Sequence, residues 1–414
     1  MKPEVLRTSV VNYLIDLQKK YPNDDLMHLL NLSDEVDLSN YDIEKPDVMN
    51  YKENKHRLNA ATLSLLQAII DNKPNKITAL QEEWTSSYHN LVDFHLKRQP
   101  KEVRTPGYDA IFKAGQGVSA WSKLLNVIFS SVTRTYAAVI TKHLKDNVQL
   151  AYGKSDAQIG EQFKKYSEYI NSKNYQKLTC DFSEFDSSQE KQGILSSCII
   201  LKSMGFNDNI INFYYHKRAS WTLINHDSEH NMPYHTILNG VFMQHSGQPF
   251  TLDGNTMFNM SCIGMCYEFV NLIFASFKGD DSYVLANKIR EVKEGDHILA
   301  QLLGYKLKSE FSNISEYIAN IITTDGFFPD VIRRVSRILT RIYVVSDDWE
   351  EIRKSTADCL DVVKDDKALY EGAQVAAMFY REHKINVTTD DVIVLFTFLQ
   401  QLVKNGSLDD VNLN

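Results

Sequence analysis

The sequence predicts an α+β protein, in which strand-like runs occupy the middle of the chain and helical periodicity lies on either side. Residues 57–97 and about the last 70 residues place apolar side chains at helical spacing. Between them lie short β-prone runs bounded by turn residues, at 177–182, 273–277, 282–285, 305–311, 316–324 and 327–328. Grouped strands followed by grouped helices are typical of the α+β class.

Size, charge and cysteine content limit the class of protein. The 414 residues are 43% hydrophobic, and a chain of this length exceeds the size of a single core, so we expect two or three lobes. A net charge of -8 argues against a uniformly basic surface but is compatible with local basic stripes. The five cysteines include no CxxC pair, which favours a reducing compartment. No run reaches the roughly 18 apolar residues of a membrane span, so we expect a soluble, cytosolic protein.

A basic stretch over residues 97–145 surrounds a glycine-containing loop that leads into a helix. The loop reads Phe112-Lys113-Ala114-Gly115-Gln116-Gly117, and the basic residues near it include Arg104 and Lys123. An ordinary loop with a solvated basic face explains this pattern from charge alone. Upstream of acidic strings, the same loop is suited to hold a triphosphate. The sequence by itself leaves both interpretations open.

Three short strings further along the chain carry acidic and amide side chains. The first lies at the end of the strand predicted over residues 177–182, which delivers Asp181 and is followed by a turn that contains Asp186. Residues five apart do not share a helix face. A strand end followed by a turn nevertheless directs both carboxylates into one cleft when the turn is tight.

The second string is the turn Ser246-Gly247, followed by a helix on which Thr251 and Asn255 are surface neighbours. The third string, Lys278-Gly279-Asp280-Asp281, lies between two β-prone runs. This arrangement predicts a hairpin whose tight turn presents two carboxylates. Taken alone, each string has an ordinary explanation, either a polar helix face or a simple turn.

Together the strings indicate a nucleotidyl-transfer centre. Joining a nucleoside triphosphate to a strand end requires two divalent metals roughly 3.5–4 Å apart. Magnesium prefers oxygen ligands and binds through one or two carboxylates plus the substrate phosphates. Asp181 and the pair Asp280-Asp281 are far apart in sequence, so the fold has to bring them to one point. We expect Mg²⁺ or Mn²⁺ as the cofactor.

The order and the residues of the three strings resemble motifs A, B and C of the RNA-dependent RNA polymerases of positive-strand RNA viruses. The longer segments around the strings are similar to those of the alphavirus-like supergroup and, within it, to those of hepatitis E-type (hepelivirus) polymerases. The resemblance spans about residues 110–345. The segments that carry it are 114–123, 181–189, 245–249, 255–260, 277–282 and 329–333.

The resemblance implies a right-hand polymerase fold, with an antiparallel palm sheet and largely helical fingers and thumb. It also implies a division of the chain into an N-terminal extension of the fingers, fingers, palm and thumb. These cover residues 1–56, 57–176, 177–329 with a fingers insertion at about 205–240, and 330–414.

The same resemblance assigns roles to individual side chains. Asp181 and Asp280 would be the main metal ligands, and Asp281 the auxiliary one. Asp186 and Asn255 suit recognition of a ribose 2′-hydroxyl, because a carboxylate accepts and an amide both donates and accepts hydrogen bonds. The expected substrate-contacting set is Asp186, Ser246, Gly247, Thr251, Asn255, Lys113 and, more loosely, Arg104 and Lys123.

The assignment of a general acid has an alternative. A lysine on the strand after the hairpin would protonate pyrophosphate; we favour Lys308 over Lys306, although strand alternation places both on one face.

The arginine stripe also has two interpretations. Arg333, Arg337 and Arg341 recur every four residues on a predicted helix. They would either track an RNA backbone or form salt bridges with the acid-rich residues 346–391.

The expected function is template-directed RNA synthesis from NTPs in viral genome replication. The alternatives are a reverse transcriptase or terminal nucleotidyltransferase, and a catalytically decayed polymerase that only binds RNA. A reverse transcriptase usually carries Tyr-x-Asp-Asp at the hairpin, whereas Lys278-Gly279 precedes the aspartate pair here. Decay would remove a carboxylate, whereas Asp181, Asp280 and Asp281 are all present.

The resemblance implies RNA template and product, NTPs and other viral replication proteins as partners. It also implies a location in the host cytoplasm, at membrane-associated replication complexes reached through those partners.

Overall fold

The computed structural model describes residues 91–96, 117–121, 123–183, 185–206, 208–225, 236–344 and 349–405. The expected N-terminal extension, the helices expected before residue 91, and the basic residues Arg104 and Lys113 lie outside this set. Within it, the strands form three sheets and helices pack around them. The predicted α+β class is confirmed.

The elements are numbered in chain order. The strands are β1 (Leu91–Leu96), β2 (Gly117–Ala120), β3 (Val148–Leu150), β4 (Gln176–Phe182), β5 (Trp221–Asn225), β6 (Thr236–Gly240), β7 (Tyr267–Lys278), β8 (Asp281–Glu291), β9 (Leu307–Phe311), β10 (Glu316–Tyr317), β11 (Asn320–Thr323) and β12 (Gly326–Pro329). The helices are α1 (Lys123–His143), α2 (Asp156–Lys164), α3 (Ser167–Asn171), α4 (Phe185–Ser188), α5 (Lys191–Ser203), α6 (Asp208–Ala219), α7 (Thr251–Cys266), α8 (Lys293–His297), α9 (Val331–Val344), α10 (Trp349–Leu360), α11 (Asp366–Glu382) and α12 (Thr389–Asn405). A π-helical turn, Ile298–Leu302, follows α8.

A five-stranded sheet in the order β3-β7-β8-β4-β9 lies at the centre of the structure. Strands β7, β8, β4 and β9 are antiparallel, as expected for a palm. Strand β3 at the edge runs parallel to β7, so the sheet is mixed rather than wholly antiparallel. A parallel pair requires a long crossover, which the chain between β3 and β7 provides.

A second sheet has the order β2-β1-β5-β6. Helical spacing predicts a helix that continues to Lys97, and this prediction is wrong for Leu91–Leu96, which forms β1. Strand β1 pairs with β2 on one side and with β5 on the other, and Val92 is fully buried. A short apolar run is compatible with either structure, and here strand pairing and burial decided the outcome.

Helix α7 is buried on every side. Each of its residues from Asp253 to Cys266 is buried, because the helix packs against β7 and β8 and also against α5. A helix between two layers has no solvent-facing stripe. Asn255 is only 6% exposed, so the interpretation of this residue as part of an ordinary polar helix face is wrong.

The last four helices, α9 to α12, pack around a hydrophobic core of their own. Asp330 connects them to the end of β12. Its Oδ1 accepts hydrogen bonds from the backbone N–H of Arg333 at 3.0 Å and from the hydroxyl of Tyr380 at 2.7 Å. These helices correspond to the expected thumb, whose limits stay a prediction. Within the described ranges, no helix combines the length and apolar character needed to cross a membrane.

Gly372 allows α11 to approach Phe328, and this contact gives a test of the packing. A Cβ at position 372 would overlap the Phe328 ring, which is 1% exposed and stacked on Phe396. Alanine gains about 1 kcal/mol of helix propensity over glycine, whereas overpacking costs about 1–3 kcal/mol. Since the ring is enclosed, we expect the upper part of that range and a lower melting temperature for Gly372→Ala.

Calorimetry or circular dichroism measures this effect. Gln374→Ala is the matched control, because Gln374 is exposed on the same helix and its replacement removes no core contact. An unchanged melting temperature for Gly372→Ala would contradict the packing described for α11.

Candidate active site

Three carboxylates meet at one end of the central sheet. Asp181 lies near the end of β4, and Asp280 and Asp281 lie at the turn between β7 and β8. Strands β4 and β8 are neighbours, with Cys180 opposite Ser282, so the ends that carry the acids coincide. All three acids line one cavity of about 1010 Å³. The fold therefore brings together acids that are far apart in the sequence.

Helix α7 holds the turn that carries two of these acids. Gly279 has a φ of 63°, a conformation that glycine adopts without steric cost. Its N–H donates to the hydroxyl of Thr256 at 2.8 Å, and its carbonyl accepts from the side-chain amide of Asn259 at 3.0 Å. The same amide lies 3.3 Å from the carbonyl of Asp281. Both α7 side chains are fully buried.

Thr256 and Asn259 were not identified from the sequence as functional residues. Their spacing of three on the helix of the second string is the one pattern that relates them, because it places both side chains on one helix face. Nothing in the sequence shows that this face meets the turn of the third string, because the contact joins residues on different elements.

The electrostatics of the acids favour a bound cation. Burial, together with the nearby Asp181 and Asp186 carboxylates, raises the pKa of Asp280 to about 6. Burial also raises the pKa of Asp281 to about 7, with Asp280 and Asp181 acting in the same direction and Arg333 in the opposite one. Charged carboxylates taken from water and placed near one another are unfavourable without a counter-charge.

The donor set fits a divalent metal ion. Carboxylate oxygens are the ligands that Mg²⁺ prefers, and the substrate phosphates usually provide the remaining ones. Across the described part of the chain, no three His, Cys, Asp or Glu side chains are already arranged to hold one ion. Asp181, Asp280 and Asp281 bring carboxylate oxygens of the preferred kind to one cavity.

Strand register separates the two candidate general acids. β9 pairs with β4 so that Lys308 lies opposite Asp181, and Lys308 Nζ is 3.8 Å from Asp181 Oδ2. Lys308 lines the cavity, whereas Lys306 does not. Lys306 precedes β9, and its carbonyl accepts a hydrogen bond from the N–H of Ser183 at 3.0 Å. The geometry favours Lys308.

Asp186 and Asn255, expected at the ribose, are in direct contact. Asn255 Nδ2 donates to Asp186 Oδ1 at 2.6 Å. Burial raises the pKa of Asp186, and the hydrogen bond from Asn255 lowers it in part. The charge of Asp186 also contributes to the raised pKa of Asp280. Asp186 therefore lies close enough to Asp280 to affect its ionisation.

The turn Ser246-Gly247 is half-buried and rests on the second sheet. The N–H of Gly247 donates to the carbonyl of Ser119 at 2.8 Å, and the N–H of Ser119 donates to Ser246 Oγ at 3.3 Å. The hydroxyl of Thr251 donates to the carbonyl of His245 at 2.6 Å, which holds the start of α7 against the turn. A direct contact of these residues with substrate stays a prediction.

The structure describes only some of the basic residues that were expected to contact substrate or RNA. Arg333 Nη1 lies 2.6 Å from Glu316 Oε1, so the salt-bridge interpretation applies to this arginine. Its partner lies on β10, however, and not in the acid-rich residues 346–391. Arg337 is exposed on α9. The side chains of Arg341 and Lys123 lie outside the described set.

Four further side chains of the cavity wall were not identified from the sequence. They are Glu310 on β9, Glu316 on β10, and Phe379 and His383 at the end of α11. His383 Nε2 lies 3.9 Å from Glu310 Oε1, and the His383 ring packs on Phe379 with centroids 4.3 Å apart. No motif connects these residues, because packing of the last helices against the sheet creates the contact.

Comparisons with known proteins agree with this geometry. Residues 26–407 match a family model described as "RNA dependent RNA polymerase". The non-structural polyprotein pORF1 of hepatitis E virus genotype 1 (isolate Human/India/Hyderabad) is 32% identical over 264 residues, or 61% of this chain. The same polyprotein of genotype 3 (isolate Human/United States/US2) is 31% identical over 227 residues, or 55% of this chain. The chain spans only 15% and 12% of the length of these relatives.

The fold is similar to that of a solved viral polymerase. The crystal structure of the RNA-dependent RNA polymerase of a human picorbirnavirus aligns with a TM-score of 0.50 and 13% identity. The alignment covers 78% of this chain and 57% of the other, which supports the expected polymerase fold. Because the family model spans most of the sequence, the chain belongs to the RNA-dependent RNA polymerase family, and its resemblance to the hepatitis E-type polymerases of the alphavirus-like supergroup is confirmed.

Proposed function

We propose that this chain synthesises RNA on an RNA template by transferring nucleotides from NTPs to an RNA 3′-hydroxyl during viral genome replication. One observation carries the proposal: Asp181, Asp280, Asp281 and Lys308 line the same cavity. This combination provides carboxylates for divalent cations and an ammonium group for a leaving group in one place. Membership of the polymerase family supports the same reaction.

Asp181 and Asp280 are the proposed main metal ligands, with Asp281 as the auxiliary one. When bound, Mg²⁺ or Mn²⁺ would stabilise the negative charge on the attacking and leaving oxygens of the displacement. The ligands must be deprotonated to bind it. Since the pKa values of Asp280 and Asp281 are raised, protons compete with the cation near neutral pH.

Lys308 is the proposed proton donor. As the 3′-hydroxyl releases its proton to solvent and its oxygen bonds to the α-phosphorus, the bond from that phosphorus to the bridging oxygen breaks and pyrophosphate leaves with additional negative charge. The Lys308 ammonium, whose Nζ lies 3.8 Å from Asp181 Oδ2, would give its proton to this leaving oxygen. An ammonium group suits this task because all three of its N–H groups are donors.

The proposed ligands are RNA template and product together with NTPs. Asp186 and Asn255 would recognise the ribose, and Arg337 and Arg341 on α9 would contact RNA phosphates. The other proposed nucleotide contacts are Ser246, Gly247, Thr251, Lys113, Arg104 and Lys123. Because the similar sequences lie within a viral polyprotein, we also propose other viral replication proteins as partners, at membrane-associated complexes in the host cytoplasm.

Incorporation of labelled UTP on a poly(A) template, with Mg²⁺ or Mn²⁺ and with or without primer, tests this function. We expect incorporation that requires the template. Addition without a template would indicate a terminal nucleotidyltransferase. RNA binding with no incorporation under any condition would indicate a decayed polymerase.

Asp280→Ala should abolish incorporation while the fold is retained. Losing one group that stabilises transition-state charge costs about 10²–10³ in rate, and a lost metal ligand should cost at least as much. The matched control is Asp361→Ala, because Asp361 is exposed and does not line the cavity. If Asp280→Ala keeps more than about a tenth of wild-type activity with an unchanged circular dichroism spectrum, the metal-ligand assignment is wrong.

Without divalent cations, stability should fall as the pH rises. An unfolded aspartate titrates near pH 3.9, whereas the folded pKa is about 6 for Asp280 and about 7 for Asp281. Between these values the folded state holds protons that the unfolded state has lost, so the free energy of unfolding decreases with pH. In EDTA, the wild-type melting temperature should fall more between about pH 4 and about pH 7 than that of the double variant Asp280→Asn/Asp281→Asn.

The double variant is the control for the other titrating groups, which are common to both proteins. Added Mg²⁺ or Mn²⁺ should raise the melting temperature of the wild type near neutral pH and leave the double variant unchanged. Parallel pH curves for the two proteins would show that these carboxylates are not responsible for the pH dependence.

Lys308→Leu should lower kcat steeply with little change in KM for NTP, because general acid catalysis contributes about 10²–10⁴-fold. Lys306→Leu is the matched control and should behave like the wild type. Lys308→His should restore part of the rate and shift the alkaline limb of the pH–rate profile to lower pH, since histidine titrates near 6.5. A large kcat effect at Lys306 alone would reverse the assignment, and an effect at neither lysine would remove it.

A further inference from the structure

Gln189 extends the contact between Asp186 and Asn255 into a chain of three side chains. Gln189 Nε2 donates to Asn255 Oδ1 at 2.7 Å, and Asn255 Nδ2 donates to Asp186 Oδ1 at 2.6 Å. Gln189 lies just after α4, which carries Asp186, whereas Asn255 lies on α7. The chain of hydrogen bonds therefore joins two elements that approach each other only in the folded protein.

The polarity of this chain is fixed from its Asp186 end. An ionised carboxylate only accepts hydrogen bonds, so the amide of Asn255 must direct its N–H group toward Asp186. Its oxygen then faces Gln189, which must direct its own N–H group toward that oxygen. With Gln189 in place, a flipped Asn255 would place two donors together and two acceptors together. Gln189 therefore reinforces, at the amide oxygen, the orientation of Asn255 that Asp186 sets at the amide nitrogen.

Packing holds Gln189 in this position. Its side chain is 1% exposed, and it lies against Gly193 in the first turns of α5. A Cβ at position 193 would come within 2.8 Å of Gln189 Oε1. The glycine thus leaves the space that the Gln189 amide occupies.

We propose that Gln189 is a positioning residue that sets the preference for ribose over deoxyribose by holding Asn255 in one orientation. The oriented amide keeps a second N–H, and the Asp186 carboxylate keeps further acceptor sites, for a nucleotide 2′-hydroxyl. A site built to bond a hydroxyl rejects the analogue that lacks it, because polar groups are left unpaired. The inference rests on the proposed function, in which Asp186 and Asn255 recognise the ribose.

The test measures kcat/KM for ATP and for dATP on one template, and reports their ratio. Gln189→Leu removes the amide at similar volume, and Gln189→Glu replaces the donor with an acceptor that faces Asn255 Oδ1. We expect each to lower the ratio about 3- to 10-fold, the size of one hydrogen bond. The loss should come from a higher KM for ATP, with kcat changed less than about 3-fold.

A double-mutant cycle separates positioning from general damage to the core. If Gln189 acts through Asn255, adding Gln189→Leu to Asn255→Ala should leave the ratio of Asn255→Ala unchanged within about 2-fold. Gln149→Leu is the matched control: Gln149 is 5% exposed on β3 and, among the described residues, its amide has no hydrogen-bond partner. This variant should keep the wild-type ratio.

Gly193→Ala provides an independent variant if Gln189→Leu does not fold. It displaces the Gln189 amide without removing it and improves helix propensity, so it should lower the ratio while the helix is retained. The proposal is overturned if Asn255→Ala lowers the ratio and the Gln189 and Gly193 variants keep it. It is also overturned if Gln189→Leu lowers the ratio further in the Asn255→Ala background.

Failure of the proposed function gives a different result. If the wild type incorporates no nucleotide on any template, competition of ATP and dATP against a fluorescent ATP analogue in Mn²⁺ still measures sugar preference. A preference that Asn255→Ala and Gln189→Leu both reduce supports the role of Gln189 without catalysis. Suppose instead that the wild type synthesises RNA and that its ATP/dATP preference does not change on substitution of Asn255, Gln189 or Gly193. That result refutes the inference and leaves the proposed RNA synthesis intact.

Discussion

The hydrogen bonds between α7 and the β7–β8 turn determine the geometry on which the candidate site depends. The turn places Asp280 and Asp281 at the end of the sheet, but a two-residue turn does not by itself fix their direction. Thr256 and Asn259 fix it by pairing with the backbone of Gly279. Buried polar groups need partners, and α7 is otherwise buried among apolar residues. The observed seating of the helix on the hairpin gives the Thr256 hydroxyl and the Asn259 side-chain N–H groups their partners.

The same helix connects the turn to two other parts of the site. Asn255, adjacent to Thr256, reaches Asp186 after β4, so the Asp186–Asn255 pair and the acids of the β7–β8 turn share one support. At its other end, the turn before α7 pairs with β2, and Trp121 Nε1 donates to His245 Nδ1 at 2.8 Å. Burial lowers the pKa of His245 to about 2, helped by the nearby cations Arg218 and Lys217, so this histidine is a neutral structural acceptor.

Charge balance explains why the acids stand where they do. Asp280 and Asp281 are held close together by the hairpin turn. The charge of Asp181 raises the cost of ionising both, and that of Asp280 raises the cost of ionising Asp281. The ion pair of Arg333 with Glu316 adds one positive and one negative group beside Asp281, which leaves the acidic character of the cavity unchanged. Such an arrangement is unfavourable for folding alone, and the cations and triphosphate that we propose as ligands would compensate for it.

The sequence by itself determined the features that depend on local pattern. It predicted the strand that delivers Asp181, the Gly-Asp-Asp hairpin and the start of the helix that carries Asn255, because turn chemistry and periodicity act over a few residues. Family-specific sequence motifs identified the fold. Only the tertiary structure decided the rest. Strand register distinguished Lys308 from Lys306, pairing on both sides made Leu91–Leu96 a strand, and packing gave Arg333, Thr256, Asn259 and Gln189 their partners. Each of these outcomes joins residues that are distant in sequence, and neither periodicity nor composition carries information about which distant atoms meet.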